Sequence, residues 1–255
     1  MSNKVLGVIP ARYSSSRLPG KPLALIGDKP MIQHVYENCR KALQYVYVAT
    51  DDQRIVDAVE AFGGNAVMTA EYHTSGTERC AEAARIVSGM ENINFDVILN
   101  IQGDEPFFDA NQLFDIQKCF DSPRTQIATL VNKIESSQQI FDEKEAKVIL
   151  NKDEEAIYFS RSPIPYLQKV EKDDWAEYHT FYRQIGIYGY RPGILLEIVK
   201  LALTPLEKAE SLEQLRWIEN GYKVKCGVTE IEETMCVDTP EDLQKANELY
   251  HQLNK

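Results

Sequence analysis

The 255-residue chain carries a formal net charge of −11, with 44% hydrophobic and 26% charged residues. That is a globular composition, with length enough for a sizeable core in one large α/β domain or two small ones. Its acidity speaks against a nucleic-acid binder or a membrane-surface binder.

Cys39, Cys80, Cys119, Cys226 and Cys236 form no C-x-x-C pair. Their odd number and wide spacing disfavour a disulfide framework or a zinc site, so buried thiols in a reducing cytoplasm are expected. The N-terminal apolar stretch is too short for a signal peptide, and no segment reaches membrane-spanning length. The expectation is a cytoplasmic protein.

Strand-like and helix-like segments alternate from the start. Val5 to Ile9 reads as a strand, Met31 to Ala42 as an amphipathic helix, and Tyr45 to Ala49 as a second strand. Asp51-Asp52 open a helix running to about Phe62, Gly63-Gly64 end it, and Asn65 to Met68 form a third strand. A helix over Thr77 to Ser88 and a strongly apolar strand over Phe95 to Ile101 follow. Short apolar runs joined by helices predict a parallel sheet buried on both faces, doubly wound with right-handed crossovers.

The second half is less regular. Strands are expected over Ile127 to Asn132, Ala146 to Leu150, Ala156 to Phe159, Gln184 to Tyr190 and Lys223 to Val228. One helix is expected over Glu207 to Asn220, stopped by Gly221. Thr239-Pro240-Glu241-Asp242 opens a last helix with an N-cap, a Pro at N1 and acids in its first turn. A single domain over 1–255, elaborated around 155–190, is the simplest organisation.

Five stretches carry the chemistry. Directly behind the first strand stands "PARYSSSRLPGKPL", with Arg12, Ser14, Ser15, Ser16, Arg17, Gly20 and Lys21. In an open α/β sheet this loop lies beyond the strand's carboxyl end, where ligands bind. Its backbone amides, with Arg12 as a bidentate donor and Lys21 as a mobile charge, suit phosphate oxygens. An ordinary solvated loop is the alternative. The spacing is neither a Walker loop nor a G-x-G-x-x-G fingerprint.

"NIQGDEPF" ends the most apolar strand and places Asp104 on the same sheet edge. A carboxylate facing phosphates needs a bridging cation, and Mg²⁺ is the usual one; a plain turn is the alternative. "VDTPED" supplies Asp238, either as a second Mg²⁺ ligand or as part of a helix cap. In "HTSGTER", Ser75, Gly76 and Arg79 sit at a helix start that can meet a ribose or base, or need no ligand. His73 there is a base or a structural residue. Finally, Glu213 and Gln214 in "SLEQLRWIENG" are polar residues beside Leu212 and Leu215, either on the surface or facing a polar ligand.

Taken in order, "IPARYSSSRLPGKPL", "VATDD", "MTAEYHTSGTER", "NIQGDEP", "YFSRSPIP", "GIYGYR", "LEQLR" and "VDTPED" resemble the 3-deoxy-manno-octulosonate cytidylyltransferases, or CMP-Kdo synthetases. The resemblance covers about Val5 to Leu249. It implies an α/β nucleotidyltransferase (Rossmann-like) fold with a mostly parallel central sheet flanked by helices, working as a homodimer. It implies transfer of CMP from CTP to the anomeric hydroxyl of the sugar acid Kdo, with release of pyrophosphate, for lipopolysaccharide synthesis.

By the same resemblance, Arg12 and Lys21 hold the CTP phosphates, next to Pro10 and Ala11, while Ser75, Gly76, Arg79 and Gln102 surround the cytidine. Asp104 and Asp238 bind Mg²⁺, and Arg161, Gln184, Tyr188, Glu213 and Gln214 face the sugar acid. Gln184 departs from the His expected in many members; Gln only hydrogen-bonds, whereas His titrates near neutral pH. The rival readings are therefore a different acidic sugar (8-amino-Kdo or a sialic acid) and a non-catalytic nucleotide-sensing relative.

Overall fold

Val5, Leu6, Val8 and Ile9 are all buried, so the first strand needs cover on both faces. Each such side chain contributes about 1.5–3 kcal/mol relative to an exposed one. The computed structural model, described here for residues 3–15, 17–231 and 235–254, provides that cover. Ser16 of the expected phosphate loop lies outside the described residues. The chain forms two compact units, one of Met1–Phe114 with Glu233–Lys255, the other of Asp115–Glu232.

In the first unit, β1 (Val5–Ala11), β2 (Tyr45–Thr50), β3 (Ala66–Met68) and β4 (Val97–Asn100) are joined by helices. Strand β1 pairs in parallel with β2 and β4, and β2 pairs in parallel with β3. The spatial order β3-β2-β1-β4 is that of a parallel α/β sheet, as expected, with all four carboxyl ends on one edge.

The helices follow the apolar periodicity. Met31, Ile32, Val35, Tyr36 and Cys39 form the buried stripe of α1 (Met31–Ala42). Helix α2 (Gln53–Ala61) starts at Asp52, whose side chain accepts from the Arg54 amide. Helix α3 (Gly76–Glu91) starts at Ser75 with a full capping box to Glu78. The C-terminal helix Pro240–Leu253 has the equivalent box between Thr239 and Asp242.

The second unit is mixed. Its strands are β5 (Ile127–Lys133), β6 (Lys147–Leu150), β7 (Ala156–Ser160), β8 (Tyr182–Tyr190) and β9 (Val224–Val228). Strand β5 pairs antiparallel with β8 and parallel with β9. Strand β6 pairs antiparallel with both β8 and β7. The segment around 155–190 belongs wholly to this unit.

One expected element is corrected. The helix expected over Glu207 to Asn220 is two helices, Pro205–Glu210 and Gln214–Glu219. Ser211 adopts a left-handed φ of 54° and closes the first helix by donating its amide to Glu207 O at 2.8 Å. Buried Glu207 then holds Arg216 with both carboxylate oxygens, at 2.7 and 2.6 Å, across the break. Two further helices, Asn111–Lys118 and Pro192–Ile198, follow β4 and β8.

Candidate active site at the carboxyl edge of the parallel sheet

The loop after β1 is held from three directions. Gly20, in the left-handed region at φ 70°, donates its amide to Tyr13 O at 2.9 Å. The Ser15 amide reaches the same oxygen at 3.1 Å. The Tyr13 ring in turn lies under the Arg54 guanidinium, 3.3 Å from centroid to Cζ, a cation–π contact onto α2. A side chain at position 20 would be strained by that φ, so Gly20 is the residue the turn requires.

This loop and the ends of β1 and β4 bound a cavity of about 410 Å³. Every residue assigned from sequence to nucleotide or metal lines it: Pro10, Ala11, Arg12, Lys21, Ser75, Gly76, Arg79, Gln102, Asp104 and Asp238. Close packing brings the walls together. A Cβ on Gly103 would stand 3.2 Å from Pro10 O, and one on Gly76 would stand 3.3 Å from Pro10 Cγ.

The charged groups are arranged unequally. The Arg12 Nη2 is buried and has no hydrogen-bond partner among the described residues, an unusual state for a guanidinium nitrogen. Lys21 is engaged: its ammonium donates to Asp104 Oδ2 at 2.6 Å and to Asp238 Oδ1 at 2.9 Å. Burial works against the charged form of Lys21, but the two carboxylates outweigh it and hold its pKa above the ordinary lysine value. Arg17 adds a second cation, 3.1 Å from the other oxygen of Asp238.

Asp238 reaches Asp104 without a strand. The stretch before it is irregular, tied to the β4 side by one backbone bond from Val237 N to Asp104 O at 2.8 Å. Cys236 on this stretch is a correction. Cys39, Cys80, Cys119 and Cys226 are buried, but Cys236 is exposed, while its neighbour Val237 packs into the core. Although the residue as a whole is exposed, burial of its sulfur, followed by the Asp104, Asp238 and Glu105 carboxylates, pushes its thiol pKa up.

Two residues take structural positions. The Arg79 side chain is 1% exposed, with Nη2 2.8 Å from Asp51 Oδ2 and Nη1 2.6 Å from Thr69 Oγ1. It thereby clamps the ends of β2 and β3 while lining the cavity. His73 is buried, with Nε2 2.5 Å from Glu82 Oε2. Glu82 also accepts from the Ala70 amide at 2.8 Å, so the His73–Glu82 pair fixes the loop before α3.

The residues assigned to the sugar acid lie in the second unit. Gln214 Nε2 donates to Gln184 Oε1 at 2.6 Å, and Gln184 Nε2 donates to the Tyr188 hydroxyl. A register shift in β8 between Ile185 and Tyr188 accompanies this placement. Burial pushes the Tyr188 phenol well above its ordinary pKa. The Tyr188 ring meets Trp217 edge-on, with centroids 5.1 Å apart.

Glu213 lies 3.6 Å from the Arg216 guanidinium. Arg161 directs Nε to Glu210 O at 2.9 Å and Nη1 to the Glu143 and Lys144 carbonyls at 3.1 and 3.3 Å. Buried Lys147 holds the neighbouring carbonyls of Asp142 and Glu145, each at 2.6 Å.

Arg17 and Thr74 line the nucleotide-side cavity but were not assigned a role from sequence. Arg17 lies inside the quoted loop between Arg12 and Lys21, and Thr74 directly before Ser75 in "HTSGTER"; those places in the motifs are the available signal.

Residues 6–234 match the family described as cytidylyltransferase. The chain is 53% identical over 247 residues to the 3-deoxy-manno-octulosonate cytidylyltransferase of Parabacteroides distasonis, covering 95% of this chain and 96% of that one. It is 51% identical to the protein of the same name from Bacteroides thetaiotaomicron, covering 96% and 97%. A solved structure of CMP:2-keto-3-deoxy-manno-octonic acid synthetase complexed with CTP superposes with a TM-score of 0.86 at 41% identity, over 98% of this chain and 99% of that one. A putative glucose-1-phosphate thymidylyltransferase from Bacillus anthracis shares the fold alone, with a TM-score of 0.65 at 18% identity, over 98% and 97% of the two chains.

Proposed function

Since this chain belongs to the 3-deoxy-manno-octulosonate cytidylyltransferase family, we propose that it transfers CMP from CTP to the anomeric hydroxyl of Kdo, releasing pyrophosphate. The observation that carries the nucleotide half is the buried, unpartnered Nη2 of Arg12 in the same cavity as Lys21 and two carboxylates. A guanidinium nitrogen left without an acceptor inside a cavity is matched by a phosphate oxygen.

The reaction displaces pyrophosphate from the α-phosphorus by a weakly nucleophilic hydroxyl, so charge neutralisation and positioning do most of the catalysis. Arg12 binds phosphate oxygens and stabilises charge on the departing pyrophosphate. Pro10, Ala11 and Gln102 form the wall beside the nucleotide. Ser75 and Gly76 open a 16-residue helix, whose first turn carries partial positive charge.

Asp104 and Asp238 fit Mg²⁺: their oxygens are hard donors, and they already converge on the ammonium of Lys21 at 2.6 and 2.9 Å. When bound there, Mg²⁺ supplies Lewis-acid neutralisation of phosphate charge. Lys21, which lines the same cavity, would present its ammonium to the phosphates. In the second unit, Gln184, Tyr188 and Gln214 form a chain of hydrogen-bonding groups suited to sugar hydroxyls, with Glu213 and Arg161 assigned to the same sugar acid.

The chain acts in the cytoplasm as a homodimer. Among the described residues no helix is long and apolar enough to cross a membrane. Ile157, Tyr166 and Tyr178, in the 155–190 segment, are exposed and suit a subunit contact.

The test is pyrophosphate release with Mg²⁺, crossing CTP, UTP and ATP against Kdo, 8-amino-Kdo and a sialic acid. Release with CTP and Kdo alone is the expected result. Preference for another acid would overturn the sugar assignment, and silence across the panel would overturn the activity. Asp238→Asn is expected to lower Mg²⁺-dependent turnover by at least about a hundredfold, the scale of removing a transition-state charge stabiliser.

A further inference from the structure

We propose that Cys236 joins Asp104 and Asp238 in a site for a thiophilic divalent cation of the Zn²⁺ class. Its donors are read from their positions, and it shares the two aspartates with the Mg²⁺ reading without depending on turnover. One ligand atom from each of the three residues lies within 4.8 Å of the others. A zinc ion with oxygens at about 2.1 Å and sulfur at about 2.3 Å holds its donors roughly 3.5 Å apart. Side-chain movements of about 1 Å close that difference.

A cation already occupies the focus of the carboxylates. Lys21 Nζ is 2.6 Å from Asp104 Oδ2 and 2.9 Å from Asp238 Oδ1, so a metal at this place competes directly with an ammonium. The two halves of the site are tethered. The bond from Val237 N to Asp104 O, 2.8 Å long, joins the segment carrying Cys236 and Asp238 to the one carrying Asp104. Cys236 is the one cysteine of the chain that is exposed as a residue, whereas the other four are buried.

Donor chemistry separates this site from a magnesium site. Two carboxylates alone prefer hard cations, whereas an added thiolate favours borderline and soft ones. Binding breaks the S–H bond and forms a metal–sulfur bond, with the proton passing to buffer. Three protein donors leave a further position open, as in catalytic rather than structural zinc sites. Zn²⁺ bound here occupies both carboxylates and excludes Mg²⁺ from them, so trace zinc acts as a brake on the same site.

The test uses the full chain at one fixed pH with Co²⁺ as the probe, without nucleotide or sugar. A one-to-one titration is expected to produce a sulfur-to-cobalt charge-transfer band in the near ultraviolet, bleached by Zn²⁺. Cys236→Ser is expected to lose the band and to bind Zn²⁺ at least tenfold more weakly, with an unchanged circular dichroism spectrum.

Lys21→Met removes the competing ammonium and is expected to tighten Co²⁺ binding several-fold. A band that persists in Cys236→Ser, no band in the wild type, or no tightening in Lys21→Met would each overturn the site. Since no substrate is present, a cobalt band in a protein that fails the pyrophosphate assay would sink the activity and leave this site standing.

Discussion

Asp51→Ala isolates the structural role of Arg79 from any contact with nucleotide. The Arg79 guanidinium is 1% exposed and bonds Asp51 at 2.8 Å and Thr69 at 2.6 Å. Removing one member of a buried ion pair costs about 3–5 kcal/mol, because the remaining charge is left without compensation. The Asp51 side chain is 18% exposed, so water softens the loss and about 3 kcal/mol, the low end of that range, is expected.

For a chain of this size that corresponds to a fall of roughly 6–12 °C in Tm. Urea unfolding monitored by circular dichroism measures it, with Asp51→Ala/Arg79→Met as the companion variant. Since the double change removes the stranded charge, it is expected to recover at least about 1 kcal/mol of the single variant's loss. A single variant within about 1 kcal/mol of wild type would refute the reasoning, since a truly buried partner cannot be lost so cheaply. So would a double variant less stable than the single one.

Arg12→Ala is expected to weaken CTP binding at least tenfold in calorimetry while leaving the urea midpoint nearly unchanged, since Nη2 has no protein partner among the described residues to lose. Gly103→Ala places a methyl group 3.2 Å from Pro10 O and 3.4 Å from Ile9 Cγ2. Overpacking of this kind costs about 1–3 kcal/mol, and displacement of the β1 end should lower turnover along with stability. Burial raises the Glu82 pKa, but the Ala70 amide and His73 outweigh it, and the net shift is below the ordinary value. A carboxyl with a depressed folded pKa stabilises the fold above its unfolded pKa, about 4.3, and loses that contribution as pH falls through the folded value. Wild type and Glu82→Gln should therefore differ in urea midpoint at pH 7 and converge as acid is added. A constant difference down to pH 3 would contradict the shift.

The first unit was legible because its signals are local. Apolar runs at Val5, Tyr45 and Phe95, separated by amphipathic helices, can be buried only as parallel strands covered on both faces, and parallel pairing puts all their carboxyl ends on one edge. That alone brings the loop of Arg12 and the turn of Asp104 to one place.

The second unit was less legible for an equally local reason. The apolar pattern of 207–220 continues through Ser211, and nothing in that pattern marks the left-handed turn that splits it into two helices. Only the tertiary structure decided which charges pair. Lys21 meets Asp104 and Asp238 across 83 and 217 residues of chain, Arg79 turns to Asp51, and Cys236 emerges beside two carboxylates. Periodicity reports which face of an element is buried. Which ion faces which depends on distances set by the packing of remote segments, and those distances exist only once the chain has folded.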